Sequence, residues 1–117
     1  MSNPQYNLEQ RTIDFSKSIF RFLKTIKVTI YNRNIIDQLL RSSTSIGANY
    51  REANDALGKK DFLQRLRIAR KEAKETAYWL EILVETEPDQ KTNIVQLLGE
   101  VVQLKKILST IITKSNQ

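Results

Sequence analysis

The sequence predicts an all-α protein, an antiparallel up-down-up-down four-helix bundle, and three observations lead there. Apolar residues recur at the helical period in four successive segments, which gathers them on one side of each helix. Breakers are scarce, with 3 glycines and 2 prolines among 117 residues, and Gly58 and Pro88 fall between those segments. No segment alternates apolar and polar residues at the strand period. A chain of this length is one domain, so residues 1–117 are expected to form a single bundle with flexible ends.

The first helix is expected over residues 12–30. Phe15, Ile19, Phe22, Leu23, Ile26 and Ile30 share one side, and Lys17, Arg21 and Lys24 lie opposite. The β-branched stretch Val28-Thr29-Ile30 weakens its end, and Asn32 and Asn34 supply the turn. Asn34 followed by Asp37 reads as an N-cap with a carboxylate at the third position. The second helix is expected over residues 34–57, with Ile36, Leu39, Leu40, Ser43, Gly47, Tyr50 and Leu57 facing inward. The middle of that face is small, which lets a neighbouring helix come close. On its other side Arg41, Ser45, Asn49 and Glu52 form a polar stripe, either solvated or a second packing surface.

Gly58 interrupts the pattern, and a third helix is expected over residues 60–86. Its core side is Phe62, Leu66, Ala69, Ala73, Thr76, Leu80 and Leu83. A second stripe, Ile68, Glu72, Glu75, Trp79 and Ile82, lies off that face and is a candidate subunit interface. A third stripe, Lys60, Arg67, Lys71 and Lys74, is basic. Pro88 and Asp89 mark the last turn. The fourth helix is expected over residues 90–114, with Ile94, Leu97, Leu98, Val101, Leu104, Leu108 and Ile111 inward. Three short connections make consecutive helices antiparallel neighbours.

Composition narrows the function. There is no histidine and no cysteine, so the commonest general base and transition-metal ligands are missing. The glycines are isolated and build no phosphate loop. The expectation is therefore a protein without catalytic residues, cofactor or metal. Met1 to Gln10 is polar and has no apolar run typical of a signal peptide, and no segment is long enough to span a membrane; the expected location is cytoplasmic. The net charge is +6 and unevenly placed. Residues 59–74 hold seven basic and two acidic side chains, whereas residues 75–90 hold five acidic and none basic. Such a reversal suits contact with a polyanion or with another copy of the chain.

Two strings in this sequence occur in order at a characteristic separation. Arg41 to Ala53 reads R-S-x-x-S-I-G-A-N-x-x-E-A, and Lys71 to Leu80 reads K-E-A-x-E-T-x-Y-W-L. Through them, and in pattern from Phe15 to Thr113, the chain resembles the bacterial four-helix bundle proteins that include the proteins encoded in intervening sequences of 23S ribosomal RNA genes. The accessory variability determinant proteins of diversity-generating retroelements are related to these. One departure is Gly58, where such proteins often carry a capping serine; glycine also serves as an N-cap. The resemblance implies a bundle that assembles into a ring, commonly a pentamer, and association with RNA or DNA in some relatives. For the retroelement relatives it adds a reverse transcriptase as a candidate partner. It brings no catalytic residues.

Arg41, Ser45, Asn49, Arg51 and Glu52, with Glu72, Glu75 and Tyr78, are then expected to form a structural polar network, Arg41 and Arg51 answering the carboxylates Glu72 and Glu75. Two functions of different class remain. One is an oligomer that binds nucleic acid through Lys60, Arg67, Arg70, Lys71 and Lys74, joined by Lys17, Arg21 and Lys24. No aromatics interleave that stripe, so a stacking platform and sequence-specific reading are not expected. The other is a structural or adaptor module whose ring docks a protein, the basic stripe serving solubility.

Overall fold

The computed structural model describes the backbone of residues 4–116 and the side chains of residues 8–116. It is an up-down-up-down bundle of α1 (Pro4–Leu23), α2 (Arg33–Asn54), α3 (Lys59–Thr86) and α4 (Lys91–Ser115), with one 3-10 turn at Pro88–Gln90 before α4. Each helix packs against its neighbours in the ring, and in neither diagonal pair, α1 with α3 or α2 with α4, do the Cα atoms come within 8 Å among the described residues. The 28 residues of α3 correspond to about 42 Å of helix at 1.5 Å per residue. The long axis of the molecule is 44 Å. A single helix thus spans the body from end to end. Residues 1–3 and 117, where flexible ends were expected, lie outside the described residues.

The first helix departs most from expectation. It begins at Pro4, eight residues early, with proline at the first helical position, where its missing N–H costs nothing. Leu8, Thr12, Phe15, Ile19 and Leu23 form a buried row along it. The helix also stops seven residues short of Ile30. The hydroxyl of Thr25 bonds the Phe22 carbonyl at 2.6 Å, and the backbone tightens to three-residue hydrogen bonds at Thr25 and Ile26. Ile26 stays buried, but Ile30, assigned to the core side from its spacing, is 80% exposed.

The connection that follows is organised by Asn32. Its side chain is fully buried, accepts from the Thr29 N–H at 2.8 Å, and donates to the Lys27 carbonyl and to Glu87 Oε2. The expected Asn34–Asp37 cap is therefore not used; α2 starts at Arg33, and Asn32 ties the α1–α2 connection to the α3–α4 connection. At its other end α2 stops at Asn54, so Leu57, expected on the inner face, lies outside the helix and is fully exposed.

Gly58 occupies the N-cap of α3 in an extended conformation and its carbonyl accepts from Phe62 N–H at 3.0 Å. Most of the expected core is buried, including Leu39, Tyr50, Leu66, Leu80, Leu83, Ile94, Leu104 and Leu108. Ile46 and Leu63 join it, and Ile112 is buried where Ile111 is only partly so. The small face of α2 does bring a neighbour close. A Cβ on Gly47 would stand 2.8 Å from Thr12 Oγ1 and 3.1 Å from Thr12 Cβ, so α1 crosses α2 at a spacing that admits no side chain there.

Candidate functional site

The outer surface of α3 carries the basic stripe. Lys60, Arg67, Lys71 and Lys74 are all exposed, and Arg70 is partly buried at their flank. Their spacing puts the first four within an arc of about 60° on a helix of 3.6 residues per turn. They border two open grooves that share Arg67 and Lys71. One, of about 370 Å³, begins at Lys60 and includes Gln64 and Ile68. The other, of about 570 Å³, continues past Arg70 and Lys74 to Tyr78 and Trp79, with Gln38 and Arg41 of α2 on its wall. Among the described residues the ion pairs engage Arg11, Arg41 and Arg51. No cation of α3 forms an ion pair within 4 Å among the described residues, although Lys71 lies near enough to Glu75 to help hold its carboxyl below the ordinary value.

The groove ends on two aromatic rings. Tyr78 and Trp79 meet edge to face, centroids 5.1 Å apart and planes at 77°. Trp79 is partly buried against the core, whereas Tyr78 is 54% exposed. The expectation that aromatics are missing from the stripe is corrected here. Tyr78 stands four residues after Lys74, one turn along the same line, and that spacing was legible.

Beside the groove, Arg41 bridges two carboxylates of α3. Its Nη1 lies 3.1 Å from Glu72 Oε1, and its Nη2 lies 2.6 Å from Glu75 Oε2. Glu72 is buried, and that burial pushes its carboxyl above its ordinary pKa against the pull of Arg41. The hydrogen bond from Arg41 holds Glu75 below its ordinary value. Next to Arg41 on α2, and one turn past Glu72 on α3, the Ser42 and Thr76 hydroxyls lie 2.8 Å apart and fully buried. Asn49 donates to the Ser45 carbonyl and hydroxyl, and accepts from Arg65 of α3 at 3.4 Å. Arg51 does not join this cluster. It turns to α1 and pairs with Glu9 Oε1 at 3.2 Å, because ten residues of helix carry it roughly 80° around α2 from Arg41. Glu52 is exposed.

The stripe read as a subunit interface is divided. Glu72 is buried inside the chain, Ile68 and Trp79 are partly buried, and Ile82 is 37% exposed. Trp79 therefore does not stand in water without a partner subunit, since it packs on its own core. Lys17, Arg21 and Lys24 are exposed on α1, at the corner diagonal to α3. The two basic sets face away from each other, so one chain does not present both to one strand. Among the described residues no three carboxylates converge to hold a metal ion, and no helix is long and apolar enough to cross a membrane.

The family model for the 23S rRNA-intervening sequence protein matches residues 5–110. The chain belongs to this family. A crystal structure of a protein of unknown function from the S23 ribosomal protein family of Bacteroides thetaiotaomicron VPI-5482 is similar to it at 36% identity and a TM-score of 0.78. That likeness covers 90% of this chain and 97% of the other. No curated protein matches. In this 23S rRNA-intervening sequence family member, the two strings that carry the resemblance meet across one seam: Arg41 and Ser42 of the first contact Glu72, Glu75 and Thr76 of the second.

Proposed function

We propose that this chain is a non-enzymatic, oligomeric protein that binds RNA or DNA through the phosphate backbone, without sequence preference, on the outer face of α3. The observation that carries the proposal is the exposed cationic track from Lys60 to Lys74, with no close ion pair among the described residues, beside two grooves that share Arg67 and Lys71. Desolvated ion pairs would have neutralised such a track; here it is open. The acidic residues that follow, Glu81, Glu85, Glu87 and Asp89, bound it on one side and limit each subunit to a short contact. Repetition in a ring, with a pentamer as the expected state, turns weak contacts into useful avidity.

Ile82, exposed beside the groove, is the best probe of assembly, since Trp79 also supports the fold. Light scattering after size exclusion is expected to report a multiple of 13.6 kDa, reduced by Ile82→Glu with helicity retained. Binding that rests on phosphates falls steeply with salt, because neutralised phosphates release counterions. Replacing Arg67, Lys71 and Lys74 together by glutamate should abolish RNA and DNA binding alike without changing the oligomer. Affinity unaltered by that change would leave the track a solvated face. An adaptor that docks a protein would then be the better reading, supported by the exposed Val28, Ile30 and Tyr31 of the α1–α2 connection.

A further inference from the structure

We propose that the groove on α3 takes single-stranded rather than duplex nucleic acid, with Tyr78 as a platform on which one base stacks. This rests on the phosphate-binding reading above and adds a base to it. Three features of the groove point there. First, Tyr78 falls inside the same arc of about 60° as Lys60, Arg67, Lys71 and Lys74, so a strand laid on the cations passes over its ring. Second, the ring is available and oriented: it is 54% exposed, and Trp79, anchored on the core, meets it edge to face at 5.1 Å. A ring held in place loses little rotamer freedom when a base covers it. Third, Tyr78 stands just past the charge reversal: Lys71 and Lys74 precede it, the intervening Glu75 is held by Arg41, and Glu81 and Glu85 follow it. Phosphates are drawn to the first side and repelled from the second, whereas a neutral base face suits the boundary between them.

A duplex cannot use this platform, since its bases are already stacked on one another. Every base has a π-face, so stacking favours single strands while leaving sequence preference slight. The phosphates would lie along Arg67, Lys71 and Lys74, and the base would turn outward at the next helical turn.

The test is a titration of the whole protein with a labelled thymidine homopolymer, a labelled adenosine RNA homopolymer and a mixed-sequence duplex of equal length, at low salt. Trp79 is the only tryptophan in the chain, so its emission gives a second, label-free readout at the groove. Both single strands are expected to bind more tightly than the duplex and to change the Trp79 emission. Tyr78→Ala should weaken them about tenfold, the effect of losing one base–aromatic stack, and leave duplex binding as it was. Tyr78→Phe, which keeps the ring, should restore the single-strand affinity. Equal binding of strand and duplex, both indifferent to Tyr78→Ala but lost in the Arg67, Lys71 and Lys74 charge reversal, would overturn the stacking site and leave the phosphate surface standing. No binding to any of the three would overturn both.

Discussion

The α2–α3 seam and the α1–α4 seam are built from different materials. Between α2 and α3, small and polar side chains lie within the packed surface: Ser42 against Thr76, Asn49 against Arg65, and Arg41 clamping Glu72 and Glu75. Between α1 and α4 the contact is slight, and one ion pair, Arg11 with Glu100 at 2.7 Å, crosses beside an open groove of about 450 Å³ lined by Phe15, Phe22 and Leu97. The difference teaches where the molecule is specified. Buried hydrogen-bonding groups accept only one register of α2 on α3, since any slip leaves them unpaired at a cost. The α1–α4 seam holds mainly by apolar burial and tolerates adjustment. The candidate binding face sits on the outer surface of the specified seam.

Truncation in the two seams should show this contrast most strongly. Leu66 is fully buried on α3, and Leu66→Ala is expected to cost about 3 kcal/mol in urea unfolding. Leu97 lines the α1–α4 groove and is partly exposed already, so Leu97→Ala should cost about 1 kcal/mol. Equal losses would remove the distinction between the seams.

The ion pairs give the next largest contrast. Arg41→Ala leaves the buried Glu72 without its cation; because Arg41 is itself half exposed, the expected cost is about 2 kcal/mol at neutral pH, below that of a fully buried pair. Arg11→Ala breaks a partly exposed, bidentate pair with no buried carboxylate and should cost about 1 kcal/mol. The two carboxylates at Arg41 carry opposite pH signatures. Glu75 has a lowered folded pKa, so its contribution is present above the ordinary carboxylate pKa and is lost as pH falls through the folded value. Glu72 has a raised one, so its contribution is present below the ordinary value and is lost as pH rises through the folded one. The cost of Arg41→Ala should therefore shrink in acid, where Glu75 is protonated with or without its partner. A urea midpoint difference that stays constant from neutral pH into acid would show that Glu75 is not held by Arg41.

The smallest effect belongs to the turn that joins the two halves of the specified seam. Gly58 caps α3 with no side-chain hydrogen bond, and a Cβ there meets nothing within 4 Å. Gly58→Ser should raise stability by a few tenths of a kcal/mol, roughly 0.3, seen as a small upward shift of the urea midpoint with an unchanged slope.

The fold was legible because three helices have long apolar rows with breakers at their ends. The bounds of α3 and α4 fell within one residue of expectation at each end. α1 was misplaced at both ends for separate reasons. Its first turns offer few apolar residues in the sequence, too few for a periodic row, although Pro4 was an available start signal. Its end carried apolar β-branched residues, and the period extended to Ile30 what the backbone ends at Leu23. The same competition put Leu57 in a helix it does not join. At the candidate site, the basic stripe follows from the periodicity of one helix and was fully readable. Of the partnerships between helices, Arg41 with Glu72 and Glu75 was expected and is present, whereas Arg51, turned about 80° around α2 from Arg41, meets Glu9 of α1 instead. The separation of Lys17, Arg21 and Lys24 from α3 did follow from the up-down order itself, which makes the first and third helices diagonal.

The central claim is that one face of α3, on the specified seam, meets nucleic acid while the α1 corner does not. Amide chemical-shift mapping of the full protein during addition of single-stranded RNA at low salt tests it most directly. The account predicts shifts concentrated from Lys60 to Trp79, and none at Lys17, Arg21 or Lys24. Shifts centred on the α1 corner, or no shifts at all, would contradict it.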